Sequence, residues 1–161
     1  MNTVISDSLV SNLHGALKGK DDLGQALATA LDLVLDRFEC VLGTIHGLDA
    51  QSGMLTLRVH RGLPEGLLER VRVIPIGKGM AGLAAQRLEP VQVCNLQCDT
   101  TGVAKPSARE SQMAGSVAIP IMVGDRLRGT LGIAKPVEHQ FVKAETELLL
   151  QAGAVIGEYL P

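Results

Sequence analysis

The sequence has 161 residues, of which 46% are hydrophobic and 20% charged, and its formal net charge is -2 at pH 7. This length predicts one domain with a core of its own, and the small net charge without blocks of like charge excludes the basic surface typical of nucleic-acid-binding proteins. The only aromatic residues besides histidine are Phe38, Phe141 and Tyr159, too few for base-stacking platforms or an aromatic cage.

The first twenty residues predict a helix rather than a targeting segment. Leu9, Leu13 and Leu17 recur every four residues, whereas the stretch has no basic start and no continuous apolar run. These features are unlike those of a signal peptide or a membrane span. We therefore expect a cytoplasmic protein, a single domain over residues 1–161, and an N-terminal helix over residues 1–20 that could take part in dimerisation.

A second helix is predicted over residues 23–38, where apolar residues keep a period of 3.6. Asp21 and Asp22 suit its start, because a carboxylate there accepts the free backbone N–H groups of the first turn. Residues 40–46 and 55–60 then predict a β-hairpin, and a short helix over residues 65–70 precedes a strand over residues 71–76.

The second half of the chain contains a helix, a long loop, a hairpin and a last helix. Residues 78–87 predict the helix and residues 90–94 a brief strand, and the polar stretch 95–115 is long for a loop in a compact domain. Strands over 117–123 and 127–133 flank the turn residues Gly124 and Asp125. In the closing helix, Gly153 and Gly157 would allow close approach to the sheet or to a partner helix.

This order of elements predicts an α+β fold. Strand pairs are joined by hairpins, and the helices lie before and after them rather than between every two strands. A doubly wound parallel sheet would need a crossover helix after almost every strand.

One motif of the chain matches a dinucleotide-binding fingerprint. Residues 77–82 read Gly-Lys-Gly-Met-Ala-Gly, after a predicted strand and at the start of a helix, and Asp99 follows at about the right distance. The surrounding order of elements does not fit a βαβ unit. The glycines are better explained by a helix packed close to the sheet, or by an anion held at the helix start with Lys78 nearby.

Five segments together resemble a known family. They are residues 74–82, 89–91, 118–121 with Gly124, 129–133, and Phe141 before a final helix. In this order and spacing they are similar to GAF domains, over about residues 22–160. The resemblance implies a central antiparallel sheet of five or six strands, with N- and C-terminal helices on one face and a loop-covered small-molecule pocket on the other. It also implies a sensory or regulatory role and a homodimer formed through the terminal helices.

Some relatives of this family are enzymes, the free methionine-R-sulfoxide reductases. The resemblance implies that their cysteines would occupy the position of Ala81 and a position near Ala104 and Lys105, and neither is a cysteine here. Cys94 and Cys98 begin the same loop, so a thiol-dependent reductase of a small sulfoxide remains an alternative.

Other relatives bind bilins or cyclic nucleotides. None of the cysteines precedes a histidine, as a bilin attachment site would require, and the Phe of the cyclic-nucleotide signature is missing. A third alternative is a ligand-free dimerisation adaptor.

A metal site is the remaining specific hypothesis. Cys94 and Cys98 with Cys40, His46 or His60 would offer sulfur and nitrogen donors to zinc. A single pair of cysteines four positions apart is weak support for a zinc site. Free thiols buried in the core are a simpler explanation of the cysteines. We expect no metal, no catalytic residue and no resident cofactor.

The leading hypothesis is a regulatory domain that binds an unidentified small molecule and signals through dimerisation or a partner protein. No nucleic acid or membrane partner is expected. The predicted ligand-binding residues lie on the helix start, the loop and the strand edges, and they are Met80, Val93, Cys94, Asp99, Arg109, Met113, Ser116 and Ala118.

Overall fold

The computed structural model describes the backbone of residues 2–161 and the side chains of residues 8–161. Helix α1 spans Asn2–Leu17, so Met1 of the predicted N-terminal helix lies outside the described residues. Within the described part of the chain, no helix is long and apolar enough to cross a membrane.

Helix α2 spans Leu23–Phe38 and has both of its ends capped. The Asp22 carboxylate accepts the backbone N–H of Gln25 at 3.1 Å, and Glu39 ends the helix in the left-handed region at φ 55°. The predicted helix start is confirmed at Asp22, because its side-chain oxygen satisfies a backbone N–H that has no partner within the helix.

Six antiparallel strands form one sheet in the order β3-β2-β1-β6-β5-β4. Their bounds are Leu42–Leu48 for β1, Leu55–Arg61 for β2, Val73–Ile74 for β3, Val91–Val93 for β4, Gly115–Val123 for β5 and Arg126–Lys135 for β6. The predicted α+β class and the sheet of five or six antiparallel strands are confirmed.

One face of the sheet carries the main core. Alternate residues of the three central strands pack there against α1, α2 and the closing helix α5, Lys143–Gly157, and these residues are Ile45, Val117, Ile119, Ile121, Leu131 and Ile133. Leu9, Leu13 and Leu17 of α1 are buried in the same core. A Cβ on Gly153 would lie 2.8 Å from Ile119 Cδ1, so this glycine admits the sheet rather than a partner helix.

The other face is covered by short elements. They are α3, Glu65–Val71, α4, Gly79–Arg87, and a 3₁₀ helix, Pro106–Ser111, which lies inside the long polar segment predicted as a loop. The strand predicted over 71–76 is reduced to Val73–Ile74 at the sheet edge, because Val71 still belongs to α3. The sheet therefore has a helix face and a second face, here called the cavity face.

Candidate functional site

A cavity of about 180 Å³ lies between the cavity face of the sheet and α3, α4 and the 3₁₀ helix. Its floor consists of alternate residues of the central strands, namely Leu42, Thr44, His46, Ser116, Ala118, Gly132 and Ala134. Gly132 pairs with Ala118, and Ala134 pairs with Ser116. Because these four neighbouring residues are small, the middle of the floor leaves room that longer side chains would fill.

The walls are mostly aliphatic. Helix α3 and the segment beside it contribute Leu63, Leu67, Val71 and Ile74, and the start of α4 with the long loop contributes Met80, Ala81, Leu96 and Ala108. Such a lining favours an organic ligand with an apolar body, oriented by a few polar groups.

The charged residues of the wall are all cationic: Arg70, Lys78 and Lys105 line the cavity, and among the described residues no Asp or Glu does. All three are exposed. Arg70 is paired with Glu110, with 2.5 Å between Nη1 and Oε2. Neither lysine forms an ion pair with a side chain that the structure describes. The rim of the cavity therefore carries positive charge in a chain whose net charge is -2.

His46 is the buried polar residue of the floor. Its side chain is 1% exposed, its Nε2 lies 2.7 Å from the Val71 carbonyl oxygen, and its Nδ1 has no hydrogen-bond partner among the described residues. Burial lowers the pKa of His46 from its ordinary value, although the bond to Val71 opposes that shift. A carbonyl can only accept, so Nε2 carries the proton and Nδ1 of the neutral ring is a free acceptor.

The glycines of residues 77–82 shape the start of α4. Gly77 and Gly79 have φ of 91° and 66°, a conformation that disfavours other residues. Gly82 lies in a crowded turn, where a Cβ would be 2.6 Å from the Pro75 carbonyl oxygen. The strands before and after α4, β3 and β4, lie at opposite edges of an antiparallel sheet, so the dinucleotide interpretation of this motif fails.

The start of α4 also faces the cavity. Lys78 is its N-cap residue and supplies no side-chain acceptor for the first backbone N–H groups, and Gly79, Met80 and Ala81 all line the cavity. The Lys105 side chain lies over Gly79, with Cγ 3.7 Å from where a Cβ would stand. The result is a helix start bordered by Lys78 and by the aliphatic stem of Lys105.

The structure distributes the predicted ligand-binding residues over three places. Met80, Ser116 and Ala118 line the cavity. Asp99 and Arg109 line a neighbouring, more open hollow of about 570 Å³, which shares Lys78, Gly79 and Lys105 with the cavity.

Val93, Cys94 and Met113 line neither space. Val93 is buried, whereas Cys94 is exposed. The sequence analysis did not select His46 or Lys105 as ligand-binding residues. Strand alternation could have placed His46 on the cavity face, but only the position of α3 explains why it is buried.

The cysteines are not brought together at the cavity. Cys94 and Cys98 are exposed, and Cys40 is buried at the edge of the helix-face core, where burial raises the pKa of its thiol to about 11. In the part of the chain that the structure describes, no group of three or more His, Cys, Asp or Glu could hold a metal ion. The zinc hypothesis therefore finds no geometric support in these residues.

Comparisons with known proteins agree with this architecture. A family profile described as "GAF domain" matches residues 20–160. The search of curated proteins finds no match. The structure is similar to the GAF domain of a phosphoenolpyruvate-protein phosphotransferase from Coxiella burnetii, with a TM-score of 0.81 and 19% identity over 99% of this chain and 94% of that one.

Two further solved structures are also similar. One is the GAF domain of the Acinetobacter phosphoenolpyruvate-protein phosphotransferase, with a TM-score of 0.77 and 18% identity over 96% of this chain and 92% of that one. The other is the free methionine-R-sulfoxide reductase of Neisseria meningitidis in complex with its substrate, with a TM-score of 0.77 and 17% identity over 96% of this chain and 87% of that one. At these identities the likeness concerns the fold.

Proposed function

The chain belongs to the GAF domain family, and from that premise we propose that it is a regulatory module whose cavity binds a small organic molecule. The observation that carries the proposal is the cavity itself, about 180 Å³ with aliphatic walls and a cationic rim. A ligand-free adaptor would have no need for a floor of small residues at the centre of its sheet.

The volume limits the size of the ligand. A protein cavity of about 150 Å³ holds a benzene molecule, so this cavity suits on the order of seven non-hydrogen atoms. Nucleotides and tetrapyrroles are several times larger. The proposed ligand is therefore a compound of metabolite size.

The fold supports a route from the cavity to the terminal helices. Ala118 lies on the cavity floor, while its strand neighbours Val117 and Ile119 pack in the core that contains α5. Gly153 packs so closely against Ile119 that no space for a further side-chain atom remains between them. A shift of β5 on ligand binding would be transmitted to α5 through one layer of side chains.

We place the partner contact on the outward faces of the terminal helices. The inward leucines of α1 are already buried against α2 and α5 of the same chain, so a homodimer or a signalling partner would use the opposite face. Analytical ultracentrifugation with and without ligand tests this part of the proposal separately.

The reductase alternative is less well supported. The cavity wall holds Ala81 and Lys105 at the positions where the resemblance implies reductase cysteines, and neither exposed thiol, Cys94 nor Cys98, is part of the wall. A nucleophilic sulfur must reach the substrate sulfur to attack it, and a substrate held in this cavity would not contact either thiol.

A fragment screen tests the proposal. We expect compounds of metabolite size to raise the melting temperature, because a ligand at one hundred times its Kd adds about 2.7 kcal/mol to the unfolding free energy. Ser116→Leu would fill the cavity and abolish the shift. Gln51→Leu, at an exposed position in the turn between β1 and β2, is the control and would keep it. The proposal fails if no compound stabilises the protein, or if Ser116→Leu responds like Gln51→Leu.

A further inference from the structure

We propose that residues 97–113, here called the lid, open and close over the cavity as one unit, and that the ion pair between Glu110 and Arg70 is the latch that holds the lid closed. The latch joins the lid to α3, and both contribute residues to the cavity wall. This inference rests on the proposed function for the purpose of the lid, and it adds what controls entry to the cavity.

The lid is attached to the rest of the fold at a narrow base. Leu96 and Ala114, which flank it, are buried, and the Leu96 N–H donates to the Ala114 carbonyl oxygen at 2.9 Å. Between them, no residue of 97–113 is buried, and Val103, which packs against the small cluster around Ala84, is half-buried. A segment with close ends and few buried side chains is held only weakly against the body of a protein.

Hydrogen bonds inside the lid keep it together. The Gln97 side-chain amide donates to the carbonyl oxygens of Arg109 and Met113 at 3.2 and 2.8 Å. The Arg109 guanidinium donates to the Asp99 carbonyl oxygen at 3.0 Å. These bonds join the two limbs of the lid to each other, and none of them involves the sheet or α3. The lid can therefore move as one unit without breaking them.

The latch is the exception to this pattern. Glu110 Oε2 lies 2.5 Å from Arg70 Nη1. Among the described residues, this is the one hydrogen bond between the lid and any part of the chain outside residues 95–114. Because the lid and α3 both line the cavity, the latch connects two sides of its wall.

Helix α3 is the fixed side of the latch. Its Leu67 side chain is buried, and the carbonyl oxygen of Val71 accepts from His46 Nε2 at 2.7 Å. The Leu57 N–H donates to the carbonyl oxygen of Arg72, just after the helix, at 2.8 Å. These contacts anchor the end of α3 to β1 and β2. Loss of the ion pair would therefore release the lid and leave α3 in place.

The latch is weak enough to open repeatedly. Its two side chains are 55% and 56% exposed, and exposed ion pairs contribute little because water and salt screen them. Removing the pair would increase the population of the open lid about two- to fivefold. Entry of a ligand would then depend on a single polar contact at the surface.

Thiol labelling of the cavity floor in the full chain measures the opening of the lid. Ser116→Cys places a thiol on the floor with little change of shape, and Cys94→Ser with Cys98→Ser removes the exposed thiols. Iodoacetamide is small and uncharged, so the charges of the rim do not steer it, and mass spectrometry follows its addition at position 116. In this background Glu110→Gln should raise the labelling rate about two- to fivefold.

Two controls separate the latch from a general effect of charge. Asp32→Asn breaks the ion pair of Asp32 with Arg61, which is similarly exposed and joins α2 to β2, and it should leave the labelling rate unchanged. Arg70→Glu should raise the rate, and the addition of Glu110→Arg should restore slow labelling, because the pair is rebuilt with its charges exchanged.

The outcomes separate the latch from the proposed function, because labelling needs no ligand. Equal labelling rates in Glu110→Gln and Asp32→Asn would overturn the latch, whether or not the fragment screen finds a binder. Fast labelling that persists when Arg70→Glu is combined with Glu110→Arg would overturn it as well. If Glu110→Gln alone labels faster and the charge exchange restores the slow rate, the latch is supported even where the screen finds no binder and the ligand-binding proposal falls.

Discussion

His46 on β1 and Thr130 on β6 lie directly opposite each other on the cavity face. Each is 1% exposed, and each carries a buried polar atom, His46 Nδ1 and Thr130 Oγ1, with no hydrogen-bond partner among the described residues. Two adjacent orphaned atoms beside a cavity are unusual, because folded proteins leave few such groups unpaired. These two atoms contribute no hydrogen bond to the fold, whereas Nε2 of the same His46 ring donates to the Val71 carbonyl oxygen.

The first prediction concerns the Thr130 hydroxyl. Thr130→Val should leave stability unchanged or raise it by about 1 kcal/mol, since it replaces an unpaired buried hydroxyl with a methyl group of the same shape. Urea unfolding measures the change. Thr56→Val is the matched control: Thr56 Oγ1 donates to the Gly47 carbonyl at 3.3 Å, so its loss should cost about 1 kcal/mol. Equal losses in both variants would show that the Thr130 hydroxyl is bonded in solution.

The second prediction is a pH dependence of stability due to His46. Burial lowers the pKa of His46 in the folded state below its ordinary 6.5, so the unfolded chain takes up this proton first. The contribution is fully present above about pH 6.5 and is lost as the pH falls toward the folded-state pKa, with a slope of at most about 1.4 kcal/mol per pH unit.

Urea unfolding over a pH series from neutral to mildly acidic measures this effect. His46→Leu should reduce the loss of stability on acidification, because it removes the buried imidazole. An identical pH profile for His46→Leu and the unmodified chain would contradict the buried neutral imidazole.

The third prediction concerns the glycine at the start of α4. Gly82→Ala should destabilise the protein by on the order of 2 kcal/mol, because its Cβ would lie 2.6 Å from the Pro75 carbonyl oxygen. Gly15→Ala, in α1 where a Cβ meets nothing within 4 Å, should instead stabilise it by about 0.5–1 kcal/mol. A Gly82→Ala variant as stable as the unmodified chain would remove the packing explanation of this motif.

The fourth prediction is unequal reactivity of the three thiols. Cys94 and Cys98 are exposed, whereas Cys40 is buried and its pKa is raised to about 11 by that burial. Ellman's reagent at mildly alkaline pH should therefore modify two thiols rapidly and the third only after denaturation. Cys40→Ser should remove the slow thiol alone. Rapid reaction of all three in the native protein would place Cys40 at the surface.

The fold was largely predictable because its patterns are local. Gly124 and Asp125 between two alternating apolar runs indicated the β5–β6 hairpin, and Gly124 indeed has a positive φ of 64°. The strand predicted over 71–76 was too long, because β-branched residues there suit both a strand and the end of α3. Whether these residues form a strand or the end of α3 is determined by the packing of α3 over β1, which is not a local feature.

The site was less predictable because it depends on contacts between distant segments. Met80 and Ser116 could be selected from the helix start and the strand alternation, and both line the cavity. Cys94 was selected from its place in the chain, yet it lines neither the cavity nor the hollow beside it. The burial of His46 depends on the contact between its Nε2 and the Val71 carbonyl oxygen at the end of α3, which no local pattern encodes.

Methyl NMR of the methionines tests the central claim most directly, because Met80 lines the cavity while Met54 lies outside it in the segment before β2. The signals are assigned by Met80→Leu and Met54→Leu, and the fragment set is then titrated. We predict that binders shift the Met80 methyl signal saturably and leave that of Met54 in place. Binders that move only Met54, or a set in which nothing moves Met80, would contradict a ligand-binding role for this cavity.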